Sequence, residues 1–411
     1  MATITNEATP RKRIFEGDRV LWLFYITLIV FSVLLVYSSA AKEIYSIAAN
    51  ATVADLMRTH LMHIVISMFI VFIVHKTPYK WFKWFGILGY IGCFAMTIVA
   101  LMMGSTADGA ARWIDLGIMM FQPSEGLKVF TIMILALQMS NRQGASERLQ
   151  LLPNKIKFWK DRKQLKIFRE NTVPILGPVC VSASIIFFAH TSSSILVLIT
   201  SLLMLFVCRI HFGDIVKLSV AGFVLVMAAI FFVAATGIGR SSTALNRIDA
   251  WIEENTGDGM AETSYELTDL QASKVAIYEG GAIGKGAGQS SARAKVIHPE
   301  SDFAYAFFIS EYGVVFGLVI LAIYLALFFR SLRTIVRQCA TTFPALLSAG
   351  LGLLITTQAL LHMAVQVGLL PETGQPLPLI SSGGSSLICT SLAIGMMISM
   401  SRPEAHQTDK R

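Results

Sequence analysis

Asp302 is the residue from which a chemical reading of this chain starts. It closes the polar run Arg293-Ala-Lys-Val-Ile-His-Pro-Glu-Ser-Asp302 and stands directly before the apolar stretch 303–329. Arg293, Lys295, His298 and Glu300 lie close to it in sequence, so two cations, an imidazole and a second acid gather at what reads as the mouth of a membrane helix. Ionisable groups at such a boundary mark functional sites by default. Acids and bases at this spacing are the ingredients of proton transfer, and the cations are those of anion binding. The competing reading is structural: Ser301 or Asp302 caps the following helix, where Ser and Asp are favoured and an acid complements the dipole.

Three further stretches carry polar chemistry beside apolar runs. In Phe121-Gln-Pro-Ser-Glu125-Gly-Leu-Lys128, Pro123 suits a first helical turn, and Glu125 and Lys128 share one face at i, i+3, which predicts an ion pair. That pair serves either helix packing or substrate contact. Upstream, Arg112 fits an orientation charge or an anion clamp beside the interfacial anchor Trp113. Gly280-Gly-Ala-Ile-Gly284-Lys285-Gly286-Ala-Gly288 allows tight turns. It lacks the G-x-x-x-x-G-K-[ST] order of a nucleotide loop, although its amides and Lys285 suit a lipid-borne phosphate. The Gly, Ser and Pro density of Gly374 to Ser386, including Ser385 and Ser386, reads as irregular backbone lining a cavity or as close packing by small residues.

The elements that must position these groups are membrane spans. With 54% hydrophobic and 15% charged residues and a mean hydropathy of +0.62, the chain is an integral membrane protein rather than a soluble globule. Apolar runs of the length that crosses a ~30 Å hydrocarbon core predict an all-α polytopic fold of ten spans. They fall at about 20–40, 60–75, 84–104, 121–140, 172–190, 193–209, 215–237, 303–329, 343–366 and 384–400. The first reads as an uncleaved span, being longer than a signal core. A net charge of +8 would suit a nucleic-acid target, but the basic residues sit in the short connections between spans, a pattern that reads as topology and not as a binding patch. Cys93, Cys180, Cys208, Cys339 and Cys389 show no metal-type spacing and make no disulfide framework.

Lys and Arg in alternate connections, including the basic loop 141–170, predict both termini on the cytoplasmic side and the long loop 239–301 outside. The inner loop, with Phe158 and Trp159 among its lysines, reads as a lipid-surface segment. The outer loop exceeds ordinary connections, so it is functional or disordered. Trp251, Tyr265 and Tyr278 argue for order, and Gln271 to Tyr278 predicts a short helix.

Taken together, these stretches resemble the SEDS family of bacterial envelope proteins (shape, elongation, division and sporulation), of the FtsW and RodA type. The likeness runs from the first span to Arg402. It is carried by Ala111-Arg112-Trp113, by Gln122-Pro-Ser-Glu125 with Lys128, and by Gly280-Gly281 with Gly284-Lys-Gly286. Pro299-Glu-Ser-Asp-Phe303 with Glu311-Tyr-Gly313, and Leu377-Pro-Leu-Ile-Ser381 with Gly383-Gly-Ser-Ser386, complete it. The resemblance implies a peptidoglycan glycosyltransferase of the inner membrane that polymerises lipid II beside a class B penicillin-binding protein and other divisome membrane proteins, with Asp302 at the catalytic acidic position. Ser301 to Tyr305 and Glu311 to Gly313 look closer to the division branch, at the septum, than to RodA. The family's usual Pro-Asp-Leu-Gly-Thr is replaced by His190-Thr-Ser-Ser-Ser194, and Ser382 replaces a common Tyr.

Glycan extension needs the 4-hydroxyl of an acceptor sugar to attack an anomeric carbon that carries a lipid diphosphate. Asp302 is the candidate base, and Arg112, Lys285, Arg293 and Lys295 are candidate clamps for the diphosphate. Gln271, Glu300, Ser385 and Ser386 complete the substrate-binding candidates. A requirement for Mg²⁺ or Mn²⁺ follows from the resemblance alone. The rivals are a lipid II flippase, for which ionisable groups at the midplane and internal repeats are expected, and a non-catalytic scaffold that binds and switches a synthase.

Overall fold

The structure is a computed structural model that describes residues 15–40, 53–103, 105–107, 110–117, 119–142, 149–153, 160–236, 247–252, 269–290 and 299–402. Arg293, Lys295 and His298 lie outside the described residues, as do Phe158 and Trp159 of the basic loop.

Among the described residues, ten helical stretches run between two ends of the bundle. The first eight helices are α1 (Arg19–Ala40), α2 (Val53–Val74), α3 (Trp81–Met103), α4 (Pro123–Ser140), α5 (Arg162–Ile167), which passes through a π-helical turn into α6 (Val173–Ala189), α7 (Thr191–Val207) and α8 (Phe212–Thr236). A short helix, α9 (Asp269–Gly280), follows; then come α10 (Ala304–Tyr312), α11 (Val314–Phe329), α12 (Thr342–Gln366) and α13 (Gly384–Met400). Six stretches are long and apolar enough to cross a bilayer by length and composition: Arg19–Ser39, Asp55–Val74, Trp81–Met103, Arg162–Ala189, Val314–Gln338 and Thr342–Gln366. Most bounds follow the apolar runs closely, but α2 begins at Val53 rather than near residue 60. The predicted helix at Gln271 to Tyr278 is present within α9.

Burial sorts the helices into two populations. Leu88, Ile91, Met102 and Met103 of α3, and Phe223, Val224 and Leu225 of α8, point outward, as side chains facing lipid do. In α4, α12 and α13 nearly every side chain is buried. These three central helices also hold the polar residues Glu125, Lys128, Gln358, His362, Ser385 and Ser391. In hydrocarbon a polar side chain is tolerated where another helix supplies its partner, so the polar helices occupy the middle.

Two features differ from the sequence expectation. The eighth span, expected as one helix over 303–329, breaks at Gly313 (φ 93°) into α10 and α11. The connection before α4 holds a small antiparallel sheet in the order β1 (Ser105–Ala107), β2 (Ala110–Asp115), β3 (Met120–Phe121).

The break at Gly313 is held open by the glycine loop. Val314 N donates to Gly281 O at 2.9 Å, Lys285 N to Ser310 O at 3.1 Å, and Gly286 N to Glu311 O at 2.9 Å. A Cβ at Gly284 would sit 2.6 Å from both Glu311 C and Gly313 N, and Gly284 has φ +88°. Gly286 has φ +97°, and its nearest neighbour, Gln289 Cγ, is 3.9 Å from a Cβ. Gly284→Ala should therefore destabilise the protein by the ~1–3 kcal/mol of an overpacked site beyond any cost seen in Gly286→Ala. Thermal unfolding of the two variants in detergent checks this; equal melting temperatures would mean that backbone strain alone matters.

At the opposite end, the segment before α1 is tied to the ends of α11 and α13. Arg330 Nε meets Asp18 Oδ2 at 2.6 Å, and Arg402 Nη2 meets Glu16 Oε2 at 2.7 Å. Asp18 N donates to Ser401 Oγ at 2.8 Å, and Arg402 Nη1 to Lys76 O at 2.8 Å.

Candidate active site

The end of the bundle that carries Asp302 is built from a buried ion pair outward. Glu125 and Lys128, in the first turns of α4, meet at 2.8 Å with both side chains buried. Lys128 Nζ also donates to Gln358 Oε1 of α12 and to Gln375 Oε1, each at 3.3 Å. An ammonium can only donate, so Gln375 must turn its amide oxygen to Lys128 and its nitrogen the other way. That nitrogen donates to Ser193 Oγ at 2.8 Å and to His190 Nδ1 at 2.9 Å. The Gln375 carbonyl is fixed by His362 Nδ1 at 2.7 Å.

His190 separates α6 from α7 in an extended conformation, and its Nδ1 also accepts from Ser193 N at 3.2 Å. Ser193 Oγ lies 3.0 Å from the same nitrogen, and two N–H donors on Nδ1 favour the tautomer with the ring proton on Nε2. The charge on Lys128 thus fixes the Gln375 amide, and the amide fixes the His190 tautomer.

Asp302 faces His190 across Gly374. A Cβ built on Gly374 (φ +59°) would have as its nearest atoms Arg247 Nη1 at 3.7 Å, Asp302 Oδ2 at 3.7 Å and His190 Nε2 at 3.8 Å. All four residues are partly exposed. Asp302 is held by its backbone, Gln366 Nε2 donating to Asp302 O at 2.8 Å, while Gln366 O takes the hydroxyl of Ser273 from α9 at 2.9 Å. Arg247 lies within the helical segment 247–252 and pairs with Glu372 at 3.7 Å. Trp251 Nε1 anchors the same segment to Gly368 O at 2.9 Å.

The capping alternative is corrected here. Phe303 is the N-cap of α10, and among the described residues no side chain caps that helix. Asp302 stands one residue outside the cap position, and its carboxylate is turned to the shared point at Gly374.

The remaining sequence candidates are distributed around this point. The backbones of Ser301 and Glu300 receive Ser381 Oγ and Ser382 N, each at 2.9 Å, so the stretch before α13 lies against the Asp302 turn. Ser385 Oγ accepts from Gln122 N at 2.9 Å and donates to Met120 O, tying α13 to the start of α4, and Ser386 is buried beside it. Gln271 is half-buried on α9. Arg112 lies on β2 with its guanidinium 5.8 Å from the Trp113 ring. Lys285 is exposed, and its amide is spent at Ser310, ~12 Å along α10 from Asp302 at 1.5 Å per residue. The amides of Gly286 and Gly288 are likewise engaged at Glu311.

Sequence reasoning passed over Gln358, Gln366, Gln375, Arg247 and the contacts of His190. Gln358, His362 and Gln366 were the legible ones: spaced by four residues, they form a polar stripe on one face of an apolar helix. Among the described residues no three His, Cys, Asp or Glu side chains gather as a metal would need. These residues do not fit a divalent cation of their own.

The family model described as "Cell cycle protein", of FtsW, RodA and SpoVE, matches residues 18–406. The chain belongs to this family, the SEDS proteins. It is 29% identical over 398 residues to the stage V sporulation protein E of Bacillus subtilis (strain 168), covering 94% of this chain and 97% of that one. It is 26% identical to the peptidoglycan glycosyltransferase MrdB of Escherichia coli (strain K12), covering 95% and 96%. A chain solved under the heading of structural coordination of polymerization and crosslinking by a peptidoglycan synthase complex superposes with a TM-score of 0.67 at 18% identity, covering 94% of this chain and 97% of its own length. The ten helical stretches are therefore the SEDS fold, a multi-pass membrane protein.

Proposed function

We propose that this SEDS protein is a peptidoglycan glycosyltransferase that polymerises lipid II, with Asp302 as general base. The observation that carries the reading is the partly exposed carboxylate at the end of the bundle, held from behind by Gln366 and met at Gly374 by His190 and Arg247. A sugar hydroxyl is a poor nucleophile near neutral pH, and a positioned carboxylate that accepts its proton removes that barrier. The leaving diphosphate needs positive charge, for which Arg112, Lys285, Arg293 and Lys295 are the candidates. No step is routed through Mg²⁺ or Mn²⁺; a cation carried in by the diphosphate is the form in which that requirement fits these residues.

The name of the MrdB relative supports the activity, and the heading of the synthase complex supports a cross-linking partner, a class B penicillin-binding transpeptidase. Within the family the reading favours the division branch at the septum, on Ser301 to Tyr305 and Glu311 to Gly313, over RodA-like elongation. The polar cluster gathers at one end of the bundle rather than at the midplane, which favours an enzyme over a flippase.

Purified full-length chain given lipid II should yield glycan strands resistant to β-lactam, since cross-linking is not required. Transfer of labelled lipid II across vesicles without polymerisation would replace the enzyme by a flippase, and neither activity by a scaffold. The proposed orientation has Asp302 and the loop 239–301 outside and both termini in the cytoplasm. A cysteine introduced at Asp258 should then react with a membrane-impermeant maleimide in intact cells; labelling only after the membrane is breached would invert the topology.

A further inference from the structure

At the end of the bundle opposite Asp302, an open cleft of about 440 Å³ lies between the last turn of α4 and the π-helical turn Phe168–Thr172 that joins α5 to α6. Arg142 and Arg169 line it, with Gln138, Asn141, Asn171 and one acid, Glu170. Its walls are pinned to the rest of the chain. Asn171 Nδ2 donates to Gln150 O at 3.0 Å and Thr172 Oγ1 donates to Leu151 O, while Leu151 N and Leu152 N donate to Asp214 Oδ2 at 3.0 and 3.1 Å. A π-helical turn set into a helix often accompanies a functional site.

The charges in the cleft do not cancel. Arg142 gives Nε to Glu170 O at 2.5 Å and Nη1 to Gln138 O at 2.8 Å and Gln138 Oε1 at 2.6 Å, which leaves both hydrogens of Nη2 over. Burial pushes the Arg142 guanidinium down from its ordinary value against the pull of Glu170, so its charge is under-compensated. The Glu170 carboxylate is shared with Lys166, 3.9 Å away. Among the described residues, the Arg169 guanidinium has no ion-pair or hydrogen-bond partner. Beyond the cleft, α6 turns an apolar stripe outward: Val173, Cys180, Val181 and Phe188 are exposed, and a Cβ at Gly177 would meet nothing within 4 Å. The stripe begins beside Pro174, which also lines the cleft, and from Val173 to Phe188 it rises ~22 Å at 1.5 Å per residue.

We propose that this cleft holds the phosphodiester headgroup of an anionic phospholipid, with Arg169 and Arg142 Nη2 donating to its phosphate oxygens and one acyl chain lying along α6. Guanidinium groups suit phosphate oxygens, which accept its paired N–H groups, and basic pockets between spans are where anionic headgroups bind. An acidic peptide or a free phosphate would use the cations and leave the apolar stripe bare. In the orientation proposed above, the lipid belongs to the cytoplasmic leaflet. It joins the end of α4 to the start of α6 and does not depend on the glycosyltransferase reading.

Full-length protein in detergent, titrated with phosphatidylglycerol or phosphatidylcholine and followed by native mass spectrometry and thermal unfolding, tests this. One phosphatidylglycerol should stay on each chain and raise the melting temperature under conditions that strip phosphatidylcholine. Arg169→Gln should weaken binding about 10-fold, the loss of a charge-assisted contact. Glu170→Gln removes the acid, keeps the carbonyl that Arg142 uses, and should tighten binding. Both side chains are exposed, so both variants are expected to fold. Arg162→Gln, at an exposed cation of α5 outside the cleft, should bind as wild type does. Wild-type affinity in Arg169→Gln, or an equal loss in Arg162→Gln, would overturn the cleft in favour of diffuse attraction to a basic surface. Equal stabilisation by inorganic phosphate would make the occupant a free anion, and by a polyglutamate peptide an acidic partner; either result overturns the lipid.

Discussion

Asp302→Asn is expected to lose ~10²-fold or more in polymerisation rate while the protein still folds, inserts and binds its transpeptidase partner. Asn keeps the shape of the side chain but accepts no proton from a hydroxyl. The structure removes the usual confounder, because among the described residues no side chain caps α10 and Asp302 is held through its carbonyl by Gln366. The replacement therefore costs no helix-capping energy. Asp302→Glu should recover little, since displacing the carboxylate by ~1 Å can itself cost ~10²-fold. The measurement is glycan formed from lipid II by purified protein of matched thermal stability. A wild-type rate in Asp302→Asn would dismiss the residue as base and send the search to Glu300.

The second large effect lies in the interior. Removing either Glu125 or Lys128 strands its partner in a desolvated site, at ~3–5 kcal/mol. Removing both should cost less than the sum. Lys128→Met carries an extra burden, because Gln358 and Gln375 also lose their donor, and Gln375 without Lys128 is free to flip and release His190 Nδ1. Lys128→Met should thus lose more activity per degree of melting temperature than Glu125→Gln does. Thermal unfolding in detergent, with the Glu125→Met and Lys128→Met singles and their double variant, gives the coupling; strictly additive losses would show that the pair does not interact.

Most of the fold was legible because its cause is local. A run of ~20 apolar residues has few alternatives to a spanning helix, and the bounds of α1, α3, α12 and α13 fall within a few residues of the apolar runs. The break at Gly313 was not legible, since Val314 to Phe329 continues the apolar run without interruption. What opens the helix is the loop 280–286, which supplies hydrogen-bond partners from another part of the chain. The site divides in the same way. Asp302, Glu125 and Lys128 could be picked out by charge beside apolar runs. Arg247 and Gln375 could not, because each looks like an ordinary loop residue until Gly374 brings Asp302, Arg247 and His190 to one point. The ion pair was readable from i, i+3 spacing; its connection to His190 runs through Gln375, 247 positions away.

That separation in sequence has a consequence for how the protein is made. When α4 emerges from the ribosome it brings a carboxylate and an ammonium to the bilayer within its first two turns, where each costs less than the roughly 2.5–3.5 kcal/mol of a charge at a helix centre. At that moment the i, i+3 partner is the only relief, because Gln358 and Gln375 have yet to be synthesised. The fourth helix then lacks two of its polar partners until α12 and the loop after it arrive. Completion of its polar contacts becomes a late step of biogenesis, one that quality-control proteases can sense in any chain truncated before Thr342.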